Sequence, residues 1–175
     1  MKKIKNRLTN EEKSHLEEVY KQFLNDERIL KMKQYTMHRG SNCYIHSFKV
    51  AKISFKMALN SRKKLDLESL LIGAFLHDYY LYDWRDDHSL LKHHAKNHPF
   101  IAYSNASKDF SINVLEAEII KSHMWPYNIK NFPKSTEAKI VGFCDTLVAT
   151  IEGLTSRKYK QKRIDKTNNY LKTLF

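Results

Sequence analysis

Residues 70–78 read Leu-Leu-Ile-Gly-Ala-Phe-Leu-His-Asp, an apolar run that ends abruptly in a histidine and an aspartate. The apolar part is far shorter than the roughly 20 residues that a membrane-spanning helix needs. His77 falls on the same helical stripe as Leu70 and Ala74, which lie seven and three positions before it. The stretch therefore predicts a buried helix that carries a histidine on its core-facing side.

Three further helical patterns carry a polar residue on the apolar face. These residues are His46, His123 and Asp145, each three, four or seven positions from apolar residues of its own pattern. A lone core histidine is usually only hydrogen-bonded, and an unpaired buried carboxylate is costly. Several inward residues of metal-ligand type, with Asp78 beside them, instead favour a shared metal site. Imidazole and carboxylate together suit Zn, Mn, Fe, Co or Ni.

The rest of the chain also favours helices, because four glycines and three prolines in 175 residues leave little material for hairpins. Thr9 with Glu12, Asp66 and Ser135 are candidate N-caps. A polar, histidine-rich stretch is predicted to be a loop over residues 83–97. The predicted helices cover about 9–35, the segment after 40–42 to about 60, 67–79, a helix from about 99, 111–123, 135–153 and 156–172.

These patterns predict an all-α protein, a single-domain bundle of about six to eight helices over residues 1–175. An N-terminal helix at 9–35 and a basic C-terminal helix at 156–172 lie at the two ends of this bundle. Cys43 and Cys144 are too few for a disulfide framework. The basic N-terminus lacks the apolar segment of a signal peptide. We therefore expect a cytoplasmic protein without a membrane partner.

Charge is the other compositional feature, with 31 lysines and arginines against 19 acidic residues and a formal net charge of +12. The excess lies at the ends, within residues 2–7 and 157–172. Such ends attract polyanions, so nucleic acid is one candidate partner. A solvated basic surface is favoured, because no zinc-finger, RNP or Gly-rich phosphate-loop motif accompanies the charge. A basic surface also suits a small phosphorylated substrate.

The order of the inward residues resembles the signature of the HD superfamily of metal-dependent phosphohydrolases. That family carries an upstream histidine, a His-Asp pair and a downstream aspartate. Here His46 opens the stretch HSFKVA, His77-Asp78 ends the apolar run, and Asp145 lies in VGFCDTL. The resemblance covers roughly residues 39–154. It implies that these four side chains hold a metal ion.

Family members with two metals add two histidines between the His-Asp pair and the last aspartate. His98 and His123 fall in those places, with His93 and His94 as rivals to His98. The resemblance to dinuclear members implies that Asp78 bridges two ions, for which Fe or Mn is favoured. A site with one ion remains the alternative.

The chain departs from the family where phosphate binding is concerned. Many members have lysine three residues after the aspartate of the pair, and here that position is Leu81. Lys49 and Lys121 lie within a turn of expected ligands, and related nucleotidases use an arginine in the position of Arg39. These three residues are the candidate contacts to a substrate phosphate.

The resemblance implies a metal-dependent hydrolase that acts on a phosphate ester, with a nucleotide as the expected substrate. Asp78 and Asp145 are its candidate catalytic residues. Some HD-type proteins use the same six ligands to hold two irons and cleave carbon bonds with O2, so an oxygenase is the second hypothesis. A non-catalytic protein that binds nucleotides or nucleic acid is the third. The oligomeric state is left open.

Overall fold

The computed structural model describes residues 8–37, 41–83 and 88–154. These ranges contain seven α-helices and no β-strand beyond one isolated bridge, so the all-α prediction is confirmed. None of these helices is long and apolar enough to cross a bilayer. The predicted C-terminal helix at 156–172 lies outside the described residues. The helices are α1 (Asn10–Asn25), α2 (Glu27–Leu30), α3 (Cys43–Leu59), α4 (Leu67–Leu76), α5 (His88–Asp109), α6 (Val114–Ser122) and α7 (Thr136–Leu154), with a 3-10 helix at Lys31–Gln34.

The N-terminal segment begins as predicted but does not continue as one helix. Thr9 and Glu12 form the expected capping box at the start of α1. The prediction of a single helix over 9–35 is wrong, because the backbone of Asp26 is extended, with φ −61° and ψ 132°. The Asp26 carboxylate accepts a hydrogen bond from the Arg28 N–H at 2.8 Å and caps a second helix. An aspartate that caps a new helix thus ends the first.

The prediction of a loop over 83–97 is also wrong, because α5 covers most of that stretch. Pro99 lies inside α5, although we expected it in the first turn of a helix. Buried side chains recur every fourth residue along α5, at His98, Ala102 and Ala106. This buried face continues the helix across the proline, despite the backbone hydrogen bond that proline removes.

Capping residues set the starts of α4, α6 and α7. Asp66 and Ser135 each accept a hydrogen bond from the third backbone N–H of the following helix, so both predicted caps are confirmed. Helix α6 starts later than the predicted residue 111, because Asn113 and Glu116 form a capping box there. The helices that carry or precede His77, His123 and Asp145 therefore have defined starts.

Helix α4 is the centre of the bundle and packs against α1, α3, α5, α6 and α7. Its side chains Leu70, Leu71 and Phe75 are almost completely buried. Helix α6 comes so close that a Cβ atom at Gly73 would lie 3.0 Å from Cβ of Ile119. Because other helices surround α4, the residues that follow its last turn lie in the interior of the domain.

We expect Gly73→Ala to lower the free energy of unfolding by about 1–3 kcal/mol, because the added methyl group overpacks the contact with Ile119. Gly153→Ala is the matched control, because a Cβ atom there has no neighbour within 4 Å. Alanine at that helical position should be neutral or stabilising by up to about 1 kcal/mol. Urea denaturation measures both variants, and equal midpoints would contradict the close packing of α4 on α6.

Candidate metal centre

The structure brings the six predicted metal-binding residues together in the interior of the bundle. Each is buried, and each lies on one of five helices or within two residues of its end. They are His46 on α3, His77 and Asp78 after α4, His98 on α5, His123 after α6, and Asp145 on α7. Two sets of these side chains have ligand atoms close enough to hold a metal ion.

The first group consists of His46, His77, Asp78 and Asp145, whose nearest ligand atoms all lie within 4.8 Å of one another. The Nε2 atom of His46 lies 2.9 Å from Oδ1 of Asp145 and 3.7 Å from Oδ2 of Asp78. The Nε2 atom of His77 lies 3.2 Å from the same Asp78 oxygen and 3.5 Å from the same Asp145 oxygen. Two imidazoles thus face two carboxylates across one small space.

The second group consists of Asp78, His98 and His123. It uses the other oxygen of Asp78, Oδ1, which lies 3.3 Å from Nε2 of His98 and 3.9 Å from Nε2 of His123. Helix α7 supports His123 closely, because a Cβ atom at Gly142 would lie 3.1 Å from the His123 carbonyl oxygen. The Asp78 carboxylate therefore connects the two groups, with one oxygen directed to each.

All four histidines use Nδ1 for an outer hydrogen bond and direct Nε2 into the centre. An imidazole that donates its Nδ1–H in this way presents the lone pair of Nε2 to a ligand. The Nδ1 partners are the carbonyl oxygens of Ala74 for His77 (2.7 Å), His94 for His98 (3.0 Å) and Ile120 for His123 (2.7 Å), and Oε2 of Glu152 for His46 (2.9 Å).

The contacts inside the centre fit a bound cation. The Nε2 atoms of His98 and His123 lie 2.8 Å apart. With both Nδ1 atoms donating outward, two lone pairs face each other, and a cation between them removes the repulsion. Within the described part of the chain, Nε2 of His77 and Oδ1 of Asp78 are buried without a hydrogen-bond partner. A cation bound between the two groups would satisfy both atoms.

One histidine of each group has a shifted pKa, and the two shifts have opposite directions. Burial lowers the pKa of His46, but hydrogen bonds to Asp145 and Glu152 outweigh it and raise that pKa to about 9. Burial, with the neighbouring His77 imidazole, lowers the pKa of His123 to about 3. His123 is thus neutral at pH 7, which is the form that binds metals.

The two aspartates are ionised in the centre. Burial acts to raise the pKa of Asp78, but the His77 and His98 imidazoles hold it well below the usual range of a carboxyl group. The pKa of Asp145 is likewise lowered against burial, mainly by its hydrogen bond with His46. Two buried anions therefore depend on the imidazoles, or on a metal ion, for compensation.

Glu152 is the functional candidate that sequence reasoning missed. It is buried and contacts His46 from the side opposite to the metal-binding space. It follows Asp145 by seven residues on α7, so the two carboxylates share a helix face. That spacing was the available signal, but a glutamate near a helix end is usually solvated.

The three candidate phosphate contacts have different placements. Arg39 lies outside the described residues. The Nζ atom of Lys49 lies 2.6 Å from Oε1 of Glu152, and the Lys49 side chain is 28% exposed. The Nζ atom of Lys121 lies 4.4 Å from the ring centroid of Tyr103, a cation–π contact. Lys49 and Lys121 are thus each engaged with another side chain.

The two rival histidines lie outside both groups of potential ligands. His93 is exposed on α5. The ring of His94 stacks on that of His98, with centroids 4.7 Å apart, and its Nδ1 lies 2.8 Å from the Tyr82 hydroxyl oxygen. His94 therefore supports His98 by packing and by its backbone carbonyl.

The backbone just after the His-Asp pair is held by α5. Leu81 has a φ of 54°, in the left-handed region that leucine rarely adopts. The Asn105 side-chain amide donates to the carbonyl oxygens of Tyr79 and Tyr80 at 3.1 and 3.0 Å. These bonds fix a turn after Asp78, so the chain does not continue α4 as a helix. Leu81, at the position of the missing lysine, lies in this turn.

The comparisons with known proteins give one match. No curated protein and no solved structure matches the chain. The HD domain family matches residues 43–150, more than half of the chain, and this segment includes all six residues of the centre. The match agrees with the all-helical fold and with the buried His/Asp cluster. The chain therefore belongs to the HD domain family.

Proposed function

We propose that this HD domain protein is a metal-dependent phosphohydrolase that acts on a phosphate ester, with a nucleotide as the expected substrate class. The observation that carries the proposal is the Asp78 carboxylate, which directs one oxygen to each of two histidine-containing groups. A carboxylate in that position is suited to hold two ions side by side. Pairs of ions about 3.5–4 Å apart are common in phosphatases and nucleases.

The centre supplies ligands for one or two divalent transition-metal ions, with Fe or Mn favoured over Zn, Co and Ni. His46, His77, Asp78 and Asp145 would hold one ion, and Asp78, His98 and His123 the other. When bound, such ions polarise a phosphoryl oxygen and lower the pKa of a coordinated water towards 7. The outer hydrogen bonds on Nδ1 keep the four imidazoles oriented for this task.

Asp145 is the carboxylate best placed to contact the attacking water. Its side chain is 12% exposed, whereas that of Asp78 is 1% exposed. A water molecule that enters from solvent therefore meets Asp145 before Asp78. Asp145 would orient the water, while Asp78 would act mainly as an anchor.

Phosphate recognition is assigned in this proposal to Arg39, Lys49 and Lys121. Lys49 lies three residues after His46 on α3, at the rim of the first group. Its bond to Glu152 competes with a substrate contact. The net charge of +12 favours anionic substrates in general. Nucleic acid is a less favoured partner, and the cytoplasm is the expected compartment.

One observation favours a second candidate, a di-iron oxygenase of the HD type. Leu81 replaces the lysine that meets phosphate in many hydrolases of the family, and its side chain cannot bind an anion. Imidazole and carboxylate ligands accept both iron and manganese, so the ligand set suits either chemistry.

Elemental analysis of the purified full-length chain tests the metal centre. We expect about two ions per chain, as in two-metal sites. His98→Ala and His123→Ala should each lower the content to about one, because each removes a ligand of the second group. His93→Ala is the matched control on α5 and should keep the full content, because His93 is exposed. An unchanged content in both test variants would contradict the second group.

Hydrolysis of a chromogenic phosphate ester and of nucleoside monophosphates by the Mn-loaded chain tests the reaction. We expect activity that chelation abolishes and Mn restores. Asp145→Asn should lower kcat by about 10²-fold or more, because it removes a charged ligand of the first group and the carboxylate that orients the water, while it keeps the side-chain shape. Oxygen uptake by the Fe-loaded chain, without hydrolysis of any ester, would replace this proposal with the oxygenase.

A further inference from the structure

His46 differs from the other three histidines of the centre in its outer partner. The other three donate Nδ1–H to main-chain carbonyl oxygens of their own helices. His46 donates to the carboxylate of Glu152, 106 residues away, at 2.9 Å. Glu152 is only 4% exposed, so this bond is protected from water. One imidazole of the first group therefore has an anionic partner, and the imidazoles of the second group have neutral ones.

Glu152 is itself held by a second contact. Its other oxygen, Oε1, lies 2.6 Å from Nζ of Lys49, which follows His46 by almost one turn of α3. Asp145, on the same face of α7 as Glu152, bonds the opposite nitrogen of the His46 ring at 2.9 Å. Each nitrogen of the His46 ring thus contacts a carboxylate of α7, and the Lys49 ammonium group neutralises the charge of Glu152.

A carboxylate that accepts from Nδ1–H makes Nε2 a better electron donor and fixes the orientation of the ring. A neutral carbonyl oxygen does this less, because a charge-assisted hydrogen bond is roughly twice as strong. The first group also contains two carboxylates, Asp78 and Asp145, whereas the second has only its share of Asp78. Both differences favour a divalent cation in the first group.

We propose that Glu152 is a positioning residue that raises the metal affinity of the first group through His46, so that the first group fills before the second. Lys49 keeps Glu152 in the position that this requires. The inference rests on the proposed metal centre. It extends that proposal to an order of filling and to two residues outside the set of ligands.

Titration of the metal-free full-length chain with Co²⁺, followed by calorimetry and visible absorption, tests the inference. We expect a tight and a weaker step, with His123→Ala removing the weaker one and so assigning it to the second group. Glu152→Gln should weaken the tight step by about 10- to 100-fold and shift its absorption bands, because it keeps a hydrogen-bond acceptor but removes the charge. The weaker step should change by less than about threefold.

Glu137→Gln is the matched control, because Glu137 is also a buried glutamate of α7 but bonds the Asp66 N–H. Both Co²⁺-binding steps of Glu137→Gln should match those of the wild type. If Glu152→Gln leaves the tight step within about threefold of the wild type, the inference is overturned while the metal centre stands. Failure of the wild-type chain to bind Co²⁺ would instead overturn the proposed function.

Lys49→Met provides a second variant that leaves Glu152 in place and does not depend on how well Glu152→Gln folds. We expect the tight step to weaken, by less than in Glu152→Gln, because Glu152 keeps its charge. Metal steps that match the wild type, with a raised KM for a phosphate ester, would overturn the role of Lys49 in positioning. That outcome would assign Lys49 to the substrate.

Discussion

The division of one buried carboxylate between two sets of imidazoles is the constraint on which the domain depends. The Asp78 side chain is 1% exposed, and a charge so deeply buried is costly without close partners. Its partners lie on α3, α5 and α6, as well as beside it after α4. The helices must therefore converge on the end of α4, and the packing of the bundle follows from that requirement.

The backbone around Asp78 shows how this convergence is achieved. Gly73 lets α6 approach α4, and Gly142 lets α7 approach the carbonyl group of His123. Asn105 ties the turn after the His-Asp pair to α5 through two carbonyl oxygens. Close helix contacts at the two glycines, together with hydrogen bonds from Asn105 to the main chain, thus hold the six potential ligands at the short distances that a metal ion would require.

Local sequence patterns were sufficient for much of this arrangement. The periodicity that places His46 or Asp145 on an apolar face depends only on neighbours within two turns, so the inward residues and most caps could be predicted. The first half of α5 was missed because its histidines resemble solvated loop residues in the sequence, and the burial of His98 depends on the other helices. Glu152 was missed for a related reason, since its partners lie on α3, about a hundred residues earlier.

Because these partners are far apart in the chain, the first group can be completed only after α7 has been synthesised. His46 and His77 are synthesised well before α7, yet their carboxylate partner Asp145 arrives only with that helix. A chain that ends before α7 would contain these imidazoles and Asp78 but would lack Asp145 and Glu152. Long-range contacts of this kind slow folding. Premature termination or proteolysis before α7 should therefore yield fragments with an incomplete first group, so that group is complete only in a chain that includes α7.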